Sequence, residues 1–212
     1  MNKDYTKHIK LEKIENSKIS IINMVYIFTI CAIIGYCVET IFVYLACGRL
    51  VNRGMLFGPY CPIYGFGGII LYFLFYNLKP SKENIPYAFL TAACVLGTFE
   101  LLCGLAFKHI LNIEMWNYDG MFLEILNYTT VPILISWGIL GTIYIFFIQP
   151  LLFKIISFVP IRFTKRLASI IICIFLLDFG ISLIHSVKNP ELFLKMVNPE
   201  LSKAQNELID VY

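Results

Sequence analysis

The stretch that decides the fold is residues 19–47, ISIINMVYIFTICAIIGYCVETIFVYLAC, in which Glu39 is the only charged side chain. A run of about 20 apolar residues is long enough to cross the hydrocarbon core of a bilayer as a helix. This stretch is longer than that, so we expect a membrane-spanning helix that tilts or extends beyond the bilayer.

The rest of the chain contains four more apolar runs, which lie at about residues 62–78, 86–111, 130–148 and 167–186. We expect Pro150 to close the fourth span, because proline interrupts helices. Residues 151–160 are apolar but short, so we interpret them as interfacial rather than as a sixth crossing. The sequence therefore predicts an all-α, polytopic integral membrane protein with about five transmembrane helices. A segment at 1–18 precedes the membrane domain at 19–186, and a polar tail follows at 187–212.

The composition agrees with this class and argues against several others. Hydrophobic residues make up 58% of the chain and charged residues 15%, whereas soluble domains carry about 25% charged residues. A net charge of +3 without a dense basic run gives no reason to expect a nucleic-acid partner. None of the seven cysteines forms a CxxC pair, so we expect no metal site, and we expect no cofactor.

The distribution of lysine and arginine predicts the orientation. Cytoplasmic loops are enriched in these residues. A cytoplasmic N-terminus places eleven of them inside, in the N-terminal segment, the second loop and the loop at 154–166, and six outside. We therefore expect a multi-pass protein of the cell (plasma) membrane with a cytoplasmic N-terminus and an extracellular C-terminus.

Three acidic residues, Glu39, Glu100 and Asp178, lie inside apolar runs. A charged side chain at the bilayer centre costs from about 2.5 to more than 10 kcal/mol, so such residues usually face the bundle interior or a water-filled cavity. The alternative interpretation is that each acid is a protonated or hydrogen-bonded packing residue without a substrate.

Helical spacing places two of these acids beside small residues. Ala93, Gly97, Glu100 and Gly104 share one helical face, and Ala32, Gly35, Glu39 and Ala46 repeat the pattern. Small residues let helix backbones approach closely, so both faces are expected to turn inward. Asp178, Ser182 and His185 line one stripe of the last span. They supply the residue types of a hydrolase triad, but side chains that point the same way on one helix do not make one.

Residues 51–68, VNRGMLFGPYCPIYGFGG, interrupt the helical pattern with glycine and proline. Broken backbone at membrane depth is tolerated where it is buried in protein or lines a cavity, and such breaks mark binding sites in transporters. Arg53 is predicted to pair with Glu39 through a turn in this segment. The alternative is an ordinary outer turn, with Arg53 reaching lipid phosphate.

The stretch GYCVETIFVYLACGRLVNRGMLFGPYCPIYGFG, residues 35–67, resembles the N-terminal signature of the CmpB-like family, whose members are labelled ABC-transporter type IV permeases. Later elements extend the resemblance over about residues 22–186, namely Phe99-Glu100-Leu101, Trp116-Asn117-Tyr118-Asp119, Trp137-Gly138 with Gly141 and Pro150, and Asp178. Two departures occur. Asn117 replaces the usual aspartate, and residues 127–130 replace an Asn-Gly-Arg turn, so no role of that arginine is carried over.

The resemblance implies a membrane permease component of a transport system. The chain contains no G-x-x-x-x-G-K-[ST] loop, so we expect a separate ATPase subunit rather than ATPase activity of its own. Five spans are few for one pathway, which favours a homodimer or hetero-assembly in the lipid bilayer. The alternatives are an accessory or regulatory membrane subunit and an integral membrane enzyme acting on a lipid or lipid-linked substrate. We favour a protein that is not an enzyme and predict no catalytic residues.

The predicted substrate site is a cavity that opens toward the outer face. Its expected lining residues are Glu39, Arg53, Tyr64, Glu100 and Asp178. Acidic groups beside small residues and broken backbone would suit a cationic or zwitterionic group, with Arg53 available for a phosphate.

Overall fold

The computed structural model describes residues 21–47, 56–75, 81–112, 114–158 and 160–189. These residues form five helical segments and one short β-hairpin. Helix α1 is Ile21–Cys47, α2 is Pro62–Phe75 and α3 is Ile85–Ala106, followed by a π turn at Phe107–Leu111. Helix α4 begins as Val131–Ile143 and continues through a π turn at Tyr144–Ile148 into Gln149–Phe158, and α5 is Ile161–Lys188. The hairpin pairs β1, Glu124–Ile125, with β2, Thr129–Thr130.

Four of these segments are long and apolar enough to cross a membrane, namely Ile21–Leu45, Ile85–Ile110, Val131–Ile155 and Arg162–Ser186. The prediction of an all-α, multi-pass membrane protein is therefore confirmed. Helix α2 is shorter, with 14 residues, and at 1.5 Å per residue it spans about 21 Å, less than the roughly 30 Å of the hydrocarbon core.

The reason for the short α2 lies in the segment that precedes it. The backbone N–H of Cys61 donates to the carbonyl of Ala32, in the middle of α1, at 2.9 Å. The chain therefore reaches the depth of Ala32 before α2 begins. The predicted interruption at residues 51–68 is present only in part: residues 56–61, which we call the broken segment, are not helical, whereas Pro62 to Gly68 belong to α2. Residues 51–55 lie outside the described residues. The broken segment supplies the part of this crossing that the helix does not.

Helices α1 and α2 pack as an antiparallel pair through glycines. A Cβ atom at Gly35 would collide with Tyr64, one at Gly65 with Phe28, and one at Gly68 with Cys31. A glycine at each contact lets the two backbones approach closely, as is common between membrane helices.

Helices α3 and α4 form the second antiparallel pair. The predicted inward face of α3 is confirmed, because Ala93, Gly97, Glu100 and Gly104 are all buried. Gly97 lies against Leu134 of α4, and Gly141 of α4 lies against Ala92. The core of the bundle lies where α1–α4 meet, around Leu71, Tyr72 and Phe75 of α2.

The expected end of the fourth span at Pro150 is wrong, because α4 continues to Phe158. Residues 151–158 are therefore part of this helix and not a separate interfacial segment. The π turn at Tyr144–Ile148 comes directly before Pro150. In such a turn, a backbone N–H bonds the carbonyl five residues earlier instead of four. The missing N–H of Pro150 therefore falls where the regular helical hydrogen bonding is already interrupted.

Helix α5 packs beside α1 and is otherwise mostly exposed. The hydroxyl of Tyr26 donates to the carbonyl of Thr164 at 3.0 Å. The rings of Phe28 and Phe175 meet edge to face, with centroids 4.9 Å apart. Since α1, α3 and α5 run in the same direction, the β-hairpin and the broken segment lie toward the same end of the bundle, which we call the hairpin end.

Candidate functional site

Glu100 is the most enclosed acidic residue in the described part of the chain, with 6% of its surface exposed. Its carboxyl group accepts three hydrogen bonds. The hydroxyl of Thr129 and the indole Nε1–H of Trp137 each donate at 3.0 Å, and the hydroxyl of Tyr118 donates at 3.3 Å. A buried polar group is tolerated when it is bonded in this way, so the site accommodates an acid at membrane depth.

The hairpin region positions two of these donors. Thr129 lies in β2, and the backbone N–H of Tyr118 donates to the carbonyl of Asn127 at 2.8 Å. The indole of Trp116 donates to the carbonyl of Tyr128 at 2.9 Å, and Tyr128 covers Gly104 of α3. The hairpin region therefore closes over Glu100 at the hairpin end of the bundle.

Glu39 is bound to Tyr64 and connects through it to the surroundings of Glu100. The hydroxyl of Tyr64 donates to the Glu39 carboxyl group at 2.6 Å. The ring of Tyr64 packs on Trp137 with centroids 4.9 Å apart, and Trp137 donates to Glu100. We call Glu39 and Glu100, joined in this way through Tyr64 and Trp137, the acid pair.

The acid pair has no basic partner within the described residues, where the only ion pair is Lys108 with Glu114 at 2.6 Å. Arg53, which the sequence predicts to pair with Glu39, lies outside the described residues. That pairing stays a prediction. Glu39 is half-buried whereas Glu100 is buried, so Glu39 is the more accessible member of the pair.

Asp178 occupies a different position from the acid pair. Its carboxylate accepts from the backbone N–H of Phe57 at 3.1 Å and from that of Gly58 at 2.8 Å. The hydroxyls of Tyr60 and Ser182 donate to it at 2.5 Å and 3.0 Å. Asp178 therefore anchors the broken segment to α5, and it makes no hydrogen bond to either member of the acid pair.

Tyr60 is held in this anchor as a neutral phenol. Its hydroxyl donates to the carboxylate of Asp178 at 2.5 Å, and a tyrosine hydroxyl with its ordinary pKa of about 10 is protonated at neutral pH. The hydroxyl therefore remains a donor at any physiological pH, and the broken segment keeps this attachment.

Of the predicted site residues, the structure brings together Glu39, Tyr64 and Glu100. Asp178 lies in α5, where it binds the broken segment and not the acid pair, so it does not join the other acids as expected. The sequence interpretation did not assign Tyr118, Thr129 and Trp137 as partners of Glu100. One signal was available, because a buried acid needs donors and Trp N–H and Tyr O–H groups near span ends can supply them. No group of three or more His, Cys, Asp or Glu side chains in the described ranges could hold a metal ion.

The long apolar helices define a multi-pass α-helical membrane protein. Residues 26–183 match the model of the CmpB family, described as "Putative ABC-transporter type IV". The chain belongs to this family. Comparisons with curated proteins and with solved structures found no match.

Proposed function

We propose that the protein is the membrane permease component of a transport system and that the acid pair binds a cationic or zwitterionic group of the substrate. The observation that carries the proposal is that two acids from different helices converge through Tyr64 and Trp137 without a basic partner in the described part of the chain. Acids inside a membrane domain commonly mark substrate or ion pathways.

The difference in exposure between the two acids indicates from which side a substrate would enter the binding site. Glu39 is half-buried, and Tyr64 lies between it and Trp137. Glu100 is enclosed by the hairpin region and Trp137. A cationic group would contact Glu39 and the Tyr64 hydroxyl first, with Arg53 available for an anionic group of the same ligand. Asp178 would act by holding the broken segment that leads to Tyr64.

Ligand retention tests the acid pair directly. The protein is purified in lipid nanodiscs, and co-purifying small molecules are extracted and identified by mass spectrometry. Glu39→Gln and Glu100→Gln keep the shape of the side chains and remove the negative charge, whereas Glu83→Gln alters an exposed acid on another loop. We expect a cationic or zwitterionic compound with the wild type and Glu83→Gln, and at least tenfold less with either site variant. Equal retention by all four proteins would show that the acid pair does not bind the ligand.

Coupling to a separate ATPase subunit requires a docking surface. Lys154, Arg162, Lys165 and Arg166 are exposed around the turn between α4 and α5, away from the hairpin end. We propose that the protein lies in the plasma membrane and that this basic surface faces the cytoplasm. The ATPase would dock on this surface. Helix α5 is mostly exposed apart from its contacts with α1 and the broken segment, so it leaves room for a second copy or another membrane subunit.

The docking surface is tested by affinity purification after mild cross-linking, followed by identification of chains that carry an ATP-binding phosphate loop. A Lys165→Glu, Arg166→Glu double variant should lose such a chain, whereas Lys188→Glu, a charge reversal at the other end of α5, should retain it. Wild-type protein that recovers no ATPase would favour the alternative of an accessory subunit.

A further inference from the structure

We propose that a water-filled polar path runs along the buried face of α4 from the acid pair toward the opposite end of the bundle, with Tyr144 and Gln149 as its lining polar groups. This inference rests on the proposed function, because such a path would connect the binding site to the second face of the membrane.

The π turn brings the two residues onto the same side of the helix. The backbone N–H of Gln149 donates to the carbonyl of Tyr144, so the turn closes between residues five apart. In a regular α-helix with 3.6 residues per turn, residues five apart point roughly 140° away from each other. Both side chains are instead buried, with 4% of Tyr144 and 9% of Gln149 exposed.

Both residues carry a buried polar atom without a protein partner. The hydroxyl of Tyr144 and Oε1 of Gln149 make no hydrogen bond to any residue that the structure describes. Buried polar groups in native proteins are almost always satisfied by protein or by ordered water, and a buried water typically bonds to groups of this kind. Because two such atoms lie within one turn of the helix, we favour hydrogen bonds from both to buried water over two buried polar atoms without any partner.

The position of Tyr144 connects these atoms to the acid pair. Trp137, which donates to Glu100, precedes Tyr144 by two helical turns and lies on the same buried face of α4. Cys31 of α1 and Tyr72 of α2 belong to the same buried cluster as Tyr144. Polar groups therefore follow one another along α4 from Trp137 through Tyr144 to Gln149. Among the residues of this helix whose burial the structure describes, the other buried ones are apolar or glycine.

Radiolytic hydroxyl-radical footprinting measures this hydration, because radicals generated from water oxidise side chains that water touches. The wild-type protein in nanodiscs is exposed to an X-ray beam, and oxidation is quantified by mass spectrometry. Phe75 is the dry reference, since it is an aromatic residue of the same core with 1% exposure. We expect Tyr144 to be oxidised at least tenfold faster than Phe75. Equal rates would overturn the proposal.

A variant tests whether the path includes residue 149. Gln149→Leu replaces the amide with an apolar group of similar size and should slow the oxidation of Tyr144 at least fivefold. Thr142→Val is the control, because the Thr142 hydroxyl is already bonded to the carbonyl of Gly138 at 2.7 Å. An unchanged oxidation rate of Tyr144 in Gln149→Leu would exclude Gln149 from the path. An oxidation rate that Thr142→Val lowers equally would indicate a general disturbance of α4, and it would also overturn the assignment of Gln149 to the path.

These measurements need no substrate, so they fail independently of the proposed function. A dry Tyr144 combined with ligand loss in Glu39→Gln would reject the path and keep the binding site. A hydrated Tyr144 with unchanged ligand retention would keep the path and reject the acid pair as the substrate site.

Discussion

Replacing Asp178 with asparagine should release the broken segment from α5. The two carboxylate oxygens divide their backbone donors, since Oδ1 accepts from the N–H of Phe57 and Oδ2 accepts from the N–H of Gly58. In asparagine, one of these oxygens becomes an NH₂ group. Whichever way the amide is oriented, one backbone N–H then faces another donor. The hydroxyls of Tyr60 and Ser182 can rotate to accept, but a backbone N–H cannot.

The expected magnitude follows from the bond that is lost. A hydrogen bond to a charged group contributes about 1.5–3 kcal/mol, and each 1.4 kcal/mol changes an equilibrium about tenfold. Local opening of the broken segment should therefore become about 10- to 100-fold more frequent. Hydrogen–deuterium exchange of the peptide covering residues 56–61, measured by mass spectrometry in nanodiscs, reports this opening.

Ser182→Ala is the matched control, because it removes one hydroxyl donor and leaves both backbone bonds of Asp178 intact. Its exchange in residues 56–61 should stay within about threefold of the wild type, because Ser182 and Asp178 both lie on α5 and their hydrogen bond does not reach the broken segment whose local opening is measured. Exchange that is the same in Asp178→Asn and in the wild type would refute the anchoring role of Asp178.

Three further predictions concern packing, the acid pair and orientation. Gly35→Ala should destabilise the protein by about 1–3 kcal/mol, because the new methyl group collides with Tyr64 and overpacking has this cost. Gly180→Ala is the control and should not destabilise it, because Gly180 faces open space. The two variants are compared by their thermal unfolding midpoints in detergent, and equal midpoints would contradict the α1–α2 contact. Trp137→Phe should lower the thermal unfolding midpoint more than Trp116→Phe. Trp137 donates to the buried carboxyl group of Glu100, whereas Trp116 donates to a backbone carbonyl. The reverse order would argue against a large contribution of the Glu100 hydrogen bonds to stability. Tags at the two termini, tested for protease access in intact cells, should show a protected N-terminus and an accessible C-terminus, as the distribution of lysine and arginine predicts. A protected C-terminus would reject the five-span topology.

The sequence by itself determined the class of protein and the direction of the buried face of α3. Runs of about 20 apolar residues have one stable solution in lipid, a helix that satisfies its own backbone. Glu100 lies on a face of small residues, and the cost of an acid in hydrocarbon leaves the bundle interior as its stable position. Both inferences depend only on spacing along one helix and on the properties of the bilayer, so they need no knowledge of the neighbouring helices.

Only the tertiary structure decided which groups meet. Asp178 binds backbone N–H groups about 120 residues earlier in the chain, and the partners of Glu100 come from α4, from β2 and from the segment before the hairpin. Such pairings depend on helix packing and loop geometry, which spacing along one segment does not specify. The same holds for α4, where a π turn carries the helix past Pro150 and aligns Tyr144 with Gln149, because that change of register is decided by what each side of the helix packs against.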